Sequence, residues 1–153
     1  MKGTKIVEVA RKELGYTEEP RGSNKTKYGE WFGMDGVMWC AIFVSWVYAQ
    51  AGFPLGNIGF TKGFAGTRTG LKYFRDNRRT TFYPAPGDIV FFDWNLDEKV
   101  DHVGIFVRWI DKNRFECIEG NTAVGNDSNG GEVMLRVRNK RFARFVHPKV
   151  LEE

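Results

Sequence analysis

From residue 84 onward the chain breaks into short runs rich in β-branched and aromatic residues: "DIVFFDW", "DHVGIFVRWI", "RFECIEG", "EVMLRVR" and "FARFVHP". Between them stand only "NLDEK", "DKN", "NTAVGNDSNGG" and "NKR". Such runs read as strands bounded by turns. None of the connections is long enough to hold a crossover helix, so parallel pairing of successive strands is excluded and an antiparallel sheet built from hairpins is expected. Helical patterns occupy the first half and strands the second, which places the chain in the α+β class, with N-terminal helices on a C-terminal antiparallel sheet of five to six strands. At 153 residues and 42% hydrophobic content the chain can bury one sizeable core, and no repeat, low-complexity tract or linker divides it, so one domain over residues 1–153 is expected.

In the first half, Ile6, Val7, Ala10 and Leu14 recur at helical spacing. They predict an amphipathic helix over roughly 4–14, with Thr4 as N-cap and Gly15 as stop. The stretch from Thr17 to Gly36, rich in Gly, Pro, Ser, Asn and charge, reads as an ordered loop anchored by Tyr28, Trp31 and Phe32. Cys40 to Ala51 carries apolar residues on nearly every face and ends at Gly52 and Pro54, the pattern of a buried, central helix. Leu71 and Phe74 anchor a short surface helix in "TRTGLKYFRDNRR".

Charge and cysteine usage narrow the function classes. Twenty-three Lys plus Arg against nineteen Asp plus Glu give a net charge of +4, which suits contact with polyanions, nucleic acid and anionic wall polymer alike. The cations gather in "RDNRR" and at Arg136, Arg138, Lys140, Arg141 and Arg144, a pattern also met on solvated strand faces. Cys40 and Cys117 show neither CxxC nor Cys/His ligand spacing, so two free thiols are expected rather than a disulfide or zinc site. The charged opening "MKGTKIVEVARKELG" leaves no apolar core for a signal peptide, and no eighteen-residue apolar run follows. A protein that is cytoplasmic when synthesised and has no membrane partner is expected.

The position of Cys40 points to chemistry. A cysteine in the first turn of a helix meets unpaired N–H groups and the positive end of the macrodipole, which favour the nucleophilic thiolate. Its own N–H is also free to receive an oxyanion formed by attack at its sulfur. The same position equally suits a small buried hydrophobe. A nucleophilic cysteine needs a base, and the chain offers only His102 and His147. His102 opens a strand and shares its face with Gly104, which leaves room for close approach, whereas His147 sits at a strand end before Pro148. Glu119 closes the next strand, where an acidic group after an apolar run needs a partner. A hairpin turning near residue 111 makes residues 102 and 119 rough cross-strand neighbours. Asn121 is the alternative group to orient the imidazole. Cys117 alternates with Phe115 and Glu119 and is expected to face the Cys40 helix, buried and inert.

Four motifs, "NKTKYGEWFGMDGVMWCAIFVSWV", "PGDIVFFDW", "DHVGIFV" and "IEGNT", span residues 24–122. In order and spacing they resemble the CHAP family, the cysteine, histidine-dependent amidohydrolases and peptidases of the papain-like class. The resemblance implies a papain-like fold with Cys40 as nucleophile, His102 as base, Glu119 as the group orienting it and Asn121 close by. It implies hydrolysis of an amide in bacterial peptidoglycan, either between N-acetylmuramic acid and L-alanine or within the peptide. The stretch "NKTKYGEWFGMDG" looks most like phage or prophage endolysins, which act on the wall after release, although no wall-binding domain follows before Glu153. The Asp-rich calcium loop that some members carry before the cysteine has no counterpart in "EEPRGSNKTKYG", so no metal and no cofactor are expected.

Tyr28 and Asp35 are candidates for the second oxyanion donor, and Trp31, Phe32 and Trp39 for the walls of a substrate groove. Peptidoglycan is the expected partner, nucleic acid is not, and a monomer is expected. Two rival readings remain: a basic binding module for wall glycan or nucleic acid, which no RNP, KH or zinc pattern supports, and an amide synthase or transpeptidase using the same residues.

Overall fold

The computed structural model describes residues 1–153. Four helices precede and flank a six-stranded sheet: α1 (Lys2–Arg11), α2 (Lys27–Phe32), α3 (Cys40–Gln50), α4 (Thr67–Asp76), then β1 (Thr80–Thr81), β2 (Ile89–Phe92), β3 (His102–Trp109), β4 (Arg114–Thr122), β5 (Glu132–Asn139) and β6 (Ala143–Val146). The fold is α+β and consistent with the papain-like class. Every pairing is antiparallel, in the order β1-β6-β2-β3-β4-β5. Only β2 to β5 form successive hairpins. The last strand returns to lie between β1 and β2, a long-range pairing that local pattern does not reveal.

Helix α3 lies at the centre because its sequence leaves it no alternative. Cys40 through Ser45, Val47 and Tyr48 are all buried, and the helix packs on β3 and β4 on one side and on α1 and α2 on another. A helix apolar all round is stable only when enclosed. Its two buried hydroxyls are both satisfied by backbone: Ser45 accepts from the Phe64 N–H at 3.2 Å, and Tyr48 donates to the Gly87 carbonyl.

Two expectations for the N-terminal half need correction. Helix α1 starts at Lys2 and stops at Arg11, so Thr4 is not its cap. Ile6, Val7 and Ala10 are buried, but Leu14 is exposed and Gly15, at φ 91°, turns away to donate its N–H to the Val133 carbonyl. The Gly- and Ser-rich loop also contains a helix, α2. Thr26 caps it by accepting from the Gly29 N–H at 3.0 Å, and Gly33 ends it in the left-handed conformation. Composition hid a start and a stop signal only seven residues apart.

The sheet has two apolar faces. Ile89, Phe91, Val103, Ile105, Val107 and Ile118 join the helices in the main core. Val90, Phe92, Phe106, Phe115, Cys117, Ala143 and Phe145 form a second cluster. Cys117 therefore belongs to the cluster away from α3, contrary to the expectation that it faces the Cys40 helix. Alternation separates the two faces of β4, but which of them meets the helices is not encoded in it.

Where α3 meets the end of β4, the contact depends on a glycine. A Cβ on Gly120 would lie 2.7 Å from Phe43 Cβ and 2.9 Å from Trp39 Cζ3. Gly120→Ala is expected to destabilise the protein by about 1–3 kcal/mol through overpacking, measured as a lowered urea midpoint with unchanged slope.

Candidate active site

Cys40 is the first residue of α3 and the residue before it, Trp39, supplies no side-chain cap to the helix. The first-turn N–H groups therefore point outward without an intrahelical or side-chain acceptor. Cys40 is buried, at 5% residue exposure, and the exposed apolar residues that precede it in the chain are Val37 and Met38.

His102 opens β3 and is fully buried. Its Nε2 lies 2.9 Å from Glu119 Oε1, while Nδ1 is buried with no hydrogen-bond partner. Burial pushes the imidazole toward the neutral form, but the Glu119 charge, with the neighbouring Cys40 and the Glu119 hydrogen bond, outweighs it, and the ring is raised from 6.5 to about 9. The imidazole is thus cationic at neutral pH, with one nitrogen fixed by a carboxylate and the other open beside the thiol. His147 takes no part: its Nδ1 meets Asp88 Oδ1 at 2.6 Å, beyond the end of β6.

The contact between His102 and Glu119 arises from a register slightly different from the expected one. Strand β3 pairs with β4 through Ile105↔Ile118, which, extended by one pair, sets Glu119 beside Gly104 rather than His102. A Cβ on Gly104 would meet Glu119 Cγ at 2.8 Å. The carboxylate lies over the glycine and reaches His102 diagonally.

Glu119 is fully buried and makes four hydrogen bonds to three residues. Besides His102, it accepts from Arg138 twice, Nε to Oε2 at 2.8 Å and Nη2 to Oε1 at 2.7 Å, and from the Cys117 thiol at 2.7 Å. Burial would raise its pKa, but the Arg138 hydrogen bonds and the His102 charge overcome that and lower it from 4.5 to about 2. The Cys117 thiol is itself driven upward by burial and by Glu119, so it remains a neutral donor. Arg138 is only 8% exposed and also reaches Asp127 at 3.0 Å. Its guanidinium lies 4.6 Å from the Trp94 ring centroid.

Sequence reasoning counted Arg138 among surface cations and missed this role. The available signal was its alternation with Arg136 on the face of β5 that Glu119 shares on β4, given that one imidazole does not satisfy both oxygens of a buried carboxylate.

The other candidates lie apart from this group. Asn121, at φ 58°, donates to Asn129 Oδ1 and accepts from the Gly131 N–H, both at 2.9 Å, and so fastens the β4–β5 loop; the ring nitrogen is left to Glu119. Tyr28 is buried and its hydroxyl donates to Glu13 at 2.7 Å, with burial and then Glu13 raising its pKa. Asp35 accepts from the N–H groups of Thr26 and Gly36 and closes the loop around α2. Trp39 is fully buried, stacked on Tyr28 at 5.6 Å, and donates to Glu18 Oε2 at 3.1 Å, so its ring serves the core and offers no wall to a ligand. Trp31 is half-buried beneath Lys62, whose ammonium lies 5.0 Å from its ring centroid.

Carboxylate oxygens that lie within 4.8 Å of one another occur at Asp93, Asp97 and Asp101, in the loop entering β3. They are the residues with geometry to hold a cation. In the structure Asp93 accepts from the N–H groups of Asp97 and Glu98.

A family model, the CHAP domain, matches residues 31–121, more than half of the chain and a span that includes Cys40, His102 and Glu119. The chain belongs to the CHAP domain family. CHAP domains are in general cysteine- and histidine-dependent amidohydrolases or peptidases, and the family points to peptidoglycan as the substrate class. No curated protein matches the chain significantly.

The buried node of this CHAP domain makes stability depend on pH in a defined way. His102 is raised, so its contribution is complete below 6.5 and lost as pH climbs through about 9; Glu119 is lowered, so its contribution is complete above 4.5 and lost as pH falls through about 2. The urea midpoint is expected to be highest between these limits, and in Glu119→Gln both flanks flatten. Arg138→Met removes one partner of a buried pair and is expected to cost about 3–5 kcal/mol by chemical denaturation.

Proposed function

We propose that this CHAP domain, as a single catalytic domain over residues 1–153, is a peptidoglycan hydrolase acting through a cysteine thioester. Cys40 is the nucleophile, His102 the general base and Glu119 the group that orients the imidazole. The observation that carries the reading is the split environment of His102: Nε2 fixed by Glu119 and Nδ1 unpartnered beside Cys40. An imidazolium held at Nε2 by a carboxylate, with Nδ1 free and a cysteine beside it at a helix N-terminus, is the arrangement that thiolate attack requires.

In the proposed reaction the Cys40 thiolate, paired with the His102 imidazolium, attacks the amide carbon. The oxyanion accepts from the Cys40 N–H. The C–N bond then breaks as His102 protonates the leaving amine, giving a thioester and neutral imidazole. Water, deprotonated by His102, attacks the thioester; the acid is released and the thiolate–imidazolium pair returns. Glu119, kept ionised by Arg138, remains a carboxylate throughout and favours the cationic ring.

The bond cleaved is either the N-acetylmuramoyl-L-alanine amide or a peptide bond of the stem or cross-bridge. The motif resemblance supports a phage or prophage endolysin, made in the cytoplasm and causing bacteriolysis from the wall side as a monomer. A purely basic binding module is disfavoured, because Arg138, one of the arginines it would use, is committed to Glu119.

Turbidity of purified walls is expected to fall with the native protein and to stay constant with Cys40→Ala, with mass analysis of the released muropeptides identifying the bond. Equal lysis by the variant overturns the reading. Activity depends on the imidazolium, so kcat/KM is expected to decline above about pH 9, the value to which His102 is raised, and Glu119→Gln moves that decline to lower pH.

A further inference from the structure

A cleft of roughly 840 Å³ opens at the β1–β6 end of the sheet, and none of the residues lining it belongs to the Cys40, His102 and Glu119 group. Its near wall includes Ala143, which pairs with Phe92 as Phe92 pairs with His102, about 10 Å from the histidine backbone at two strand spacings. Its far wall includes Trp109, seven residues along β3 from His102, about 23 Å away at the usual rise per residue. The cleft therefore starts near the proposed catalytic end of the sheet and leads away from it.

Five cations line this cleft, Arg75, Lys112, Lys140, Arg141 and Arg144, and no carboxylate does. Arg75, Lys112, Lys140 and Arg141 are exposed and take part in no ion pair, and Arg144 comes only within 3.9 Å of Asp93. Acids adjacent in sequence are engaged elsewhere, Asp76 with Lys72 and Asp111 with Arg114. Asp93 and Glu98 share a neighbouring hollow with Arg75 and Arg144 and offset part of this charge, but the excess carried by Lys112, Lys140 and Arg141 repels itself and raises the local concentration of anions. The rim carries a second unusual feature: Phe82 and Tyr83, consecutive aromatics, are each 89% exposed. Large rings left in water beside unpaired cations mark a binding surface, because a ring face stacks on a sugar or polyol while the cations meet its charged groups.

We propose that this cleft binds a wall-borne polyanion, a polymer of sugar or polyol units bearing phosphate or carboxylate groups, and so holds the catalytic end of the sheet against the wall. The choice of a wall polymer over other polyanions rests on the wall-hydrolase reading above; the charge and aromatic pattern does not. Anchoring at a second point converts encounter with an insoluble substrate into a local event, which raises retention without changing the chemistry.

The test uses the full chain carrying Cys40→Ala, so that walls stay intact and binding is read independently of lysis. Sedimentation with purified walls at about 0.15 M salt is compared before and after hydrofluoric acid extraction of phosphodiester-linked polymers. Stripping is expected to lower retention about tenfold, and Lys112→Ala, Lys140→Ala and Arg141→Ala combined are expected to lower it equally on native walls with no further loss on stripped ones. An unchanged melting temperature shows that the combined variant is folded. If stripping has no effect but the variant still binds less, competition by a soluble uronic acid polymer assigns the carboxylate source and supports the proposal. Retention unaffected by the combined variant overturns it, as does tighter binding of a single-stranded oligonucleotide than of poly(glycerol phosphate) of equal charge. Either failure leaves the hydrolase reading standing, since lysis by the native protein is a separate measurement.

Discussion

The ionised carboxylate of Glu119, removed from water, is the constraint around which the rest of the site is arranged. A lone buried carboxylate would be protonated, because the cost of desolvating its charge exceeds what the protein recovers. Arg138 gives it two parallel hydrogen bonds, Cys117 a third and His102 a fourth. Once ionised and immobile, it fixes the imidazole and draws a proton onto it. The proposed catalytic pair is thus held by residues that never meet a substrate, and β3, β4 and β5 must all be in register for it to exist.

Two glycines make that convergence sterically possible. Gly104 lets the Glu119 side chain lie across β3 toward His102, and Gly120 lets the end of β4 press against the first turn of α3, where Cys40 stands. Neither has a positive φ, so the requirement is for space and not for an unusual backbone. The aromatic residues Trp39 and Phe43 on one side and Phe92 and Trp94 on the other fill the two faces of the sheet, and Cys40 is buried with them. This packing gives the wall of the site a role in excluding water, which strengthens every charge interaction inside it.

The sequence carried much of this, residue by residue. The apolar envelope of residues 40–50 demanded a central helix, the turn-bounded strands demanded an antiparallel sheet, and the small number of histidines left His102 as the partner for Cys40. Readings that failed did so where one local pattern stood for several outcomes. Alternation set Cys117 apart from Ile118 but did not say which face met the helices. A run of Gly, Ser and charge concealed the capping threonine of α2. Arg138 looked like its surface neighbours because a basic strand residue reads the same whether it faces solvent or a buried acid.

By itself, the sequence determined which residue types were available and on which elements they stood, because helix and strand periodicity are properties of a few consecutive residues. The tertiary structure alone decided that Glu119 binds the imidazole diagonally over a glycine, that Arg138 keeps it charged, that Asn121 and Trp39 serve the loop and the core, and that Phe82 and Tyr83 border a cationic cleft. Those outcomes depend on register between strands and on the return of β6 between β1 and β2. Such pairings join residues far apart in the chain, and their energies are settled only when the whole sheet has packed.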